Sequence, residues 1–463
     1  MTSPKRASRR LSKAVAAIVG VASMLVANSA QAISLIRDTE IEELIRAESE
    51  PVLRASGLNP NDVQFYLVSD KELNAFVAGG QNIFLHTGLI EETDTPNQLL
   101  GVIAHEAGHI SGGHIVRSGE MQRAGMTPFL LTMGLGIAAA LAGQGQAGAA
   151  LMASSQYFGV LSALKYNRVQ EAAADQAAVT ALEGAGLSAQ GLVEFFDEFR
   201  DFELFSNQDR YQYFRSHPLS SDRIQALRRR AEEQSNYLKR DTSLAQEQHN
   251  IMKAKLKAFM SPPQQTFIDY RESDTRYIAR YARAIAYYQA GDAARSLAII
   301  EALIAEQPTN PYLWELKGQV LFENARTAEA AVAHAKSVEL KPEAPLLRIN
   351  YAQSLLALED PTKLDEVLTQ LTRAVAREKD NTFAYTLMAQ AYEAKKMPGQ
   401  ARLATAEFHF YSGRLGEARA FAMRAREYLT NGTPDWYRAT DIVLTSDPTD
   451  ADLRTLARET RGG

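Results

Sequence analysis

The sequence predicts a mainly α chain with a small antiparallel sheet, in which a helical domain carrying a chemical site precedes an α-solenoid. Three observations carry this expectation. The string His105-Glu106-Ala107-Gly108-His109 ends an apolar stretch of helical spacing, Asn97 to Ala104. Val63–Ser69 and Asn82–Gly88 have strand composition. Further on, similar residues recur at a spacing of 34, as between Pro308 and Pro342. With 463 residues the chain is too long for one ordinary core. We place a leader at 1–32, a catalytic-type domain at 33–262 and a repeat domain at 263–463.

The leader has three parts. Lys5, Arg6, Arg9, Arg10 and Lys13 precede an apolar run from Ala14 to Ala27, and Ala30-Gln31-Ala32 follows. That order predicts a signal peptide cleaved after Ala32, with a mature chain starting at Ile33 in a bacterial periplasm. The Arg9-Arg10 pair matches a twin-arginine signal only loosely, so general secretion is expected. The chain has no cysteine, which excludes disulfides, a thiolate metal site, a cysteine nucleophile and a lipid-bearing cysteine. Its net charge of −5 comes without a basic stripe, so nucleic acid is not an expected partner.

The mature start, RDTEIEELIRAESEPVLRASG, alternates acidic and apolar positions at helical period and stops at Gly57. It predicts an amphipathic helix on the domain core. The two strand segments are joined through Ala75 to Gly80. That stretch is expected either to expose an edge that takes up an extended peptide or to form an internal hairpin turning at Gly79-Gly80.

Thr95 or Asn97 is a candidate N-cap for the next helix. On that helix His105 and His109, at i and i+4, share one face and can reach one tetrahedral Zn²⁺, with Glu106 placed to take a proton from a water in the fourth position. Gly108 leaves room for a neighbouring backbone. The pattern points to a helical, zincin-type metallopeptidase domain that needs a third protein ligand.

Three residues could supply that ligand. His114 follows Gly112, but a longer histidine motif of this kind would place its last histidine at position 115, which is Ile115, so His114 is expected to flank the site. Glu171 and Asp175, in NRVQEAAADQAAVTAL, share a helix face, and the alanines around them allow close helix packing. Glu171 would complete a His/His/Glu set, with Asp175 accepting the remaining N–H of a ligand histidine. His217, held off helix by Pro218, presents an imidazole from a loop.

HExxH with a downstream ExxxD helix resembles the zinc metallopeptidases that include HtpX and the CAAX prenyl proteases. The leader, the His217-Pro218 pair and the C-terminal repeats resemble the BepA-like periplasmic group within them. The resemblance implies His105, His109 and Glu171 as ligands of one Zn²⁺, Glu106 as general base, and Asp175 as an outer-sphere or acid residue. It implies His217 as a removable fourth ligand or an oxyanion group, and Arg223 as the anchor of its segment. It also implies outer-membrane β-barrel proteins and their assembly machinery as partners, with degradation of misfolded or stalled clients, or a mainly chaperoning role, as the activity.

A second apolar region, 126–164, poses a membrane question, because Met126 to Gly143 is about as long as a bilayer crossing. Its Gly/Ala composition and the interruptions at Gln144 and Gln146 favour a helical hairpin over a span. In HtpX-like proteins the region spans the membrane; in the BepA-like group it resembles a hairpin beside the active site that touches the membrane.

Phe195–Tyr237 is expected to be charged and helical around His217, Ser243–Met260 to be a helix, and Pro262-Pro263 to mark a boundary. Beyond it, Ala284, Tyr287, Gly291 and Pro308, then Trp314, Gly318, Ala330 and Pro342, occupy tetratricopeptide (TPR) positions. Tyr351–Asp380 is a looser unit with an insertion at Pro361, and Phe383–Ala406 keeps Ala389, Tyr392 and Ala401. Phe408–Leu429 is expected as a fifth half-unit and Pro434–Ala457 as a polar cap.

Overall fold

The computed structural model describes residues 34–114, 131–132, 167–199, 213 and 217–462. The expected signal peptide, nearly all of the 126–164 region and most of the segment leading to His217 lie outside the described residues. Among the described residues no helix is long and apolar enough to cross a membrane.

The segment after the expected leader forms β1 (Leu35–Ile36) and α1 (Thr39–Ala55). Asp38 caps α1 by accepting the Ile41 N–H, Ile41, Ile45, Val52 and Leu53 are buried, and Gly57 at φ +76° ends the turn after it. The sheet adds β2 (Gln64–Val68), β3 (Ala75–Ala78) and β4 (Asn82–His86) in the order β1-β2-β4-β3. It is mixed, not purely antiparallel as expected. β2 and β4 run parallel, Gln64 opposite Asn82 through Val68 opposite His86, while β1·β2 and β3·β4 are antiparallel. The reason is order. The chain leaves β2, crosses to the edge as β3, then turns back between them as β4.

That return uses Gly79 and Gly80 at φ +59° and +103°, a conformation disfavoured for residues with a Cβ. The 75–88 stretch is therefore a hairpin and an edge at once. β3 pairs only with β4 among the described residues and lies against the metal-motif helix. Leu67, Ile83 and Leu85 face the core, and Tyr66, Phe84 and Phe76 stack on the other face with centroids 5.0 and 4.8 Å apart.

After α2 (Thr87–Glu92) comes α3 (Pro96–Ser111), buried from Pro96 to His109. Thr95, not Asn97, is its N-cap, accepting the Gln98 N–H. Asn97 instead links two elements, donating to Ser188 O at 2.8 Å and accepting the Gly191 N–H at 2.8 Å. α4 is described over residues 167–184, followed by α5 (Gln190–Phe199) and α6 (Ser221–Glu232).

α7 (Ser243–Met260) belongs to two cores. Met252 and Leu256 enter the sheet-and-α3 cluster, while Ala254 and Ala258 pack with the repeats. At the expected boundary Pro263 starts a short helix, α8 (Pro263–Asp269). Repeat pairs follow: α9 (Tyr277–Gln289) with α10 (Ala293–Glu306), α11 (Pro311–Glu323) with α12 (Thr327–Leu340), α13 (Pro345–Leu356) with α14 (Leu364–Arg377), and α15 (Thr382–Ala394) with α16 (Pro398–Tyr411). The insertion at Pro361 is a 3₁₀ turn, Pro361–Lys363. Phe408 closes α16 and does not open the next unit, which is α17 (Leu415–Arg426) with α18 (Pro434–Thr445), ahead of α19 (Asp450–Gly462).

The repeats grip the start of α1. Lys255 is buried with Asp38 and Glu40 at 2.7 and 2.9 Å, the Tyr281 hydroxyl donates to Glu40, and that of Tyr312 donates to Glu43. Arg37 pairs with Glu378 at 2.8 Å.

Candidate metal centre

Close helix packing builds the site. A Cβ on Gly108 would lie 2.8 Å from the Ala174 carbonyl oxygen, so α3 and α4 touch backbone to backbone, as the Gly and Ala pattern suggested. That approach carries Glu171, one turn before Ala174, onto the histidine face.

His105 Nε2 and His109 Nε2 are 3.1 Å apart. Glu171 reaches both, Oε2 at 3.4 Å from His105 Nε2 and Oε1 at 3.4 Å from His109 Nε2. His217 closes the set through Nδ1, 3.3 Å from His105 Nε2 and 3.0 Å from Glu171 Oε2. All four ligand atoms lie within 4.8 Å of one another, and all four residues are buried. A tetrahedral Zn²⁺ with bonds of about 2.0–2.1 Å spaces its ligands by about 3.3 Å. The donor set and its separations fit such an ion, and no thiolate is needed.

The outer contacts are directional. Asp175 Oδ1 lies 3.0 Å from His105 Nδ1, which keeps the Nε2 lone pair turned to the centre. Arg223, at the start of α6, donates Nε and Nη2 to Asp175 at 2.6 and 2.8 Å, meets Glu171 Oε2 at 3.1 Å, and donates to the carbonyls of His217 and Pro218. One guanidinium thus fastens both carboxylates and the His217 loop, over the Phe196 ring at 5.1 Å.

Electrostatics mark a cation hole. Burial opposes charge on His105, yet hydrogen bonds to Asp175 and Glu171 carry its pKa up to about 9. Burial and then the charge of His105 push His109 down to about 2. Burial works against the Glu171 carboxylate, but hydrogen bonds from His105 and His217 hold it well below the usual range. Burial pushes the Glu106 carboxyl up, and its Oε1 has no hydrogen-bond partner, with His217 Nε2 3.5 Å away.

Residues 38–231 match the sequence profile of Peptidase family M48. This part of the chain is an M48 peptidase domain. Residues 296–411 match the Cytochrome c-type biogenesis protein H TPR domain. The chain is 25% identical to a Beta-barrel assembly-enhancing protease of Yersinia pestis over 78% of its length and 74% of that protein. It is 24% identical to the protein of the same name from Escherichia coli (strain K12) over 86% and 81%. The Metalloprotease LoiP of Escherichia coli (strain K12) is 30% identical over 38% of this chain and 65% of that protein. The chain is a metalloprotease in which an M48 domain precedes a TPR domain.

In the M48 domain the fold gathers every residue singled out from the sequence: His105, Glu106, His109, Glu171, Asp175, His217 and Arg223. His114, expected to flank the site, does so: its Nδ1 sits 2.9 Å from His109 Nδ1, on the side of the ring away from the centre, where Gly113 at φ +66° turns the chain back over the helix end. One residue escaped. Tyr213 stacks on His217 with centroids 4.6 Å apart and interplanar angle 30°. Nothing in the local pattern distinguishes it from its aromatic neighbours.

Proposed function

We propose that the chain is an exported zinc endopeptidase, holding one Zn²⁺ through His105, His109 and Glu171, that degrades misfolded or stalled outer-membrane proteins in the periplasm. Residues 33–262 serve as the peptidase unit and 263–463 as the TPR unit, which binds clients or the barrel-assembly machinery. The observation that carries the hydrolytic reading is the convergence of Glu171 on both motif imidazoles at 3.4 Å. The leader supports export, and the name of the beta-barrel assembly-enhancing relatives supports the client class.

When bound, zinc supplies a Lewis acid for the scissile carbonyl and lowers the pKa of a water. Glu106 takes the proton of the attacking water and passes it to the leaving amine as the C–N bond breaks. Burial suits Glu106 to both tasks, since a raised carboxyl pKa makes it a better base and a competent acid. Asp175 fixes the His105 tautomer. Arg223 neutralises the outer carboxylates and anchors the loop.

His217 favours a second reading, a chaperone or scaffold whose peptidase is normally self-inhibited. Its Nδ1 lies with the other three ligand atoms and its Nε2 is 3.5 Å from Glu106, so it would take the fourth position in place of water. Glu106→Gln and His217→Ala separate the two readings. The protease account expects Glu106→Gln to lose casein degradation by about 10³-fold or more while folding normally, and to fail in supporting barrel assembly in a deletion strain. If that variant supports assembly as well as the wild type, binding suffices and the protease role is secondary. Self-inhibition expects His217→Ala to degrade casein faster than the wild type; equal or lower rates end that idea.

A further inference from the structure

A second cluster of metal-ligating side chains lies between the β2–β3 turn and the end of β4. Asp70, Glu72 and His86 each offer one ligand atom, and these atoms lie within 4.8 Å of one another. We propose that Asp70, Glu72 and His86 form a second divalent-cation site, weaker than the His105 centre, for an ion of the Zn²⁺ or Mn²⁺ class. Imidazole favours the transition ions and carboxylate the harder ones, so a mixed set suits ions that accept both.

The key observation is His86. It is 6% exposed; its ring is hydrogen-bonded to the Glu72 backbone, and its Nδ1 has no hydrogen-bond partner. That nitrogen faces Asp70 Oδ2 at 3.8 Å, too long for a hydrogen bond and within the reach of two ligands on one ion. A buried polar atom without a partner costs free energy that a cation would recover.

The frame around the cluster is stiff. Asp70 Oδ1 accepts the Glu72 N–H at 2.9 Å, and the Asp70 carbonyl accepts the Thr87 hydroxyl at 2.7 Å and the Gly88 N–H at 2.9 Å. A Cβ on Gly88 would lie 2.2 Å from the Lys71 carbonyl oxygen, so turn and helix start are in direct contact. The His86 N–H donates to the Asn74 carbonyl at 3.1 Å, tying β4 to the far end of the turn. The Asp70 side chain is 40% exposed, which leaves an entry path. From the same turn the Leu73 carbonyl accepts the Tyr213 N–H at 3.1 Å, and the Tyr213 ring stacks on His217. An ion here steadies the turn that holds the switch segment.

The test uses the full mature chain loaded with one equivalent of Zn²⁺, dialysed against increasing Zn²⁺ or Mn²⁺, with bound metal counted and thermal midpoints recorded. Wild type is expected to take up one further equivalent and to melt higher as it does. Asp70→Asn keeps the oxygen that accepts the Glu72 N–H and puts an amide donor opposite His86 Nδ1. It is expected to hold the first equivalent, to bind the second at least tenfold more weakly, and to lose the added rise in midpoint. His86→Gln is expected to do the same. A wild type that stops at one equivalent up to millimolar ion overturns the proposal, as does an unchanged second equivalent in both variants.

Discussion

Gly108 on α3 and Ala174 on α4 meet so closely that a methyl group on the glycine would lie 2.8 Å from the alanine's carbonyl oxygen. This contact, between the residues that precede His109 and Asp175, sets how far Glu171 reaches across to His105 and His109. Gly108→Ala must push the helices apart by a fraction of an ångström. Overpacking of this kind costs about 1–3 kcal/mol. The expected outcome is a folded protein with a lower thermal midpoint and a weaker hold on zinc, measured by competition with a chromogenic chelator. Gly416→Ala, where a Cβ meets nothing within 4 Å, serves as the matched control.

Asp175 acts through His105. Asp175→Asn keeps the size of the side chain but removes the charge that Arg223 and His105 Nδ1 both meet. Outer-sphere changes of this type weaken metal binding by about 10–100-fold. Zinc affinity of Asp175→Asn should fall in that range, and activity at saturating zinc should recover in part. Unchanged affinity would mean that the contact is structural only.

His114 plays the corresponding part for His109. With Nδ1 atoms 2.9 Å apart, His109 Nδ1–H donates to His114 Nδ1 when the His109 Nε2 lone pair is turned to the centre, which fixes the His109 tautomer. His114→Ala should weaken zinc binding by about tenfold, and His114→Gln should restore part of the loss. Gly112→Ala should resemble His114→Ala, because its Cβ would lie 2.6 Å from His114 Nε2.

Two histidines outside the centre set an acid limit on stability. Burial lowers the pKa of His249, beside the Thr93 carbonyl, and of His334, between two repeats, to about 4 each. The folded values lie below the ordinary 6.5, so the unfolded chain binds protons first. Stability is full above about pH 6.5, falls as pH drops toward 4, and flattens below it. Each histidine accounts for up to about 3 kcal/mol. Urea unfolding from pH 7.5 to 4.5 should show this decline, and His334→Gln should reduce its slope; an unchanged slope would contradict the assignment.

Much of this site was legible because its signals are local. The i, i+4 histidines, the carboxylates spaced one turn apart on an alanine-rich helix and the Pro-bounded His217 each depend on a few neighbouring residues. The 34-residue spacing likewise gave the repeats, since each pair carries the same local pattern of small and aromatic residues. Strand order was not legible. The parallel pairing of β2 with β4 depends on where β3 is placed, which no alternation of residues encodes. Nor was the join between the units. Lys255 finds Glu40 across 215 positions, and α7 looked like a single-domain helix although its two faces enter separate cores. Motif spacing put His114 beside the site, but its contact with His109 depends on the backbone reversal at Gly113.

The most direct test of the central claim is X-ray absorption at the zinc edge on the purified mature chain, with metal content measured on the same sample and on Glu171→Gln. The account predicts one zinc per chain with nitrogen and oxygen ligands at about 2.0–2.1 Å, at least two of them imidazoles, and a large loss of metal in the variant. A wild type without stoichiometric zinc, or a Glu171→Gln protein with an unchanged zinc environment, would contradict it.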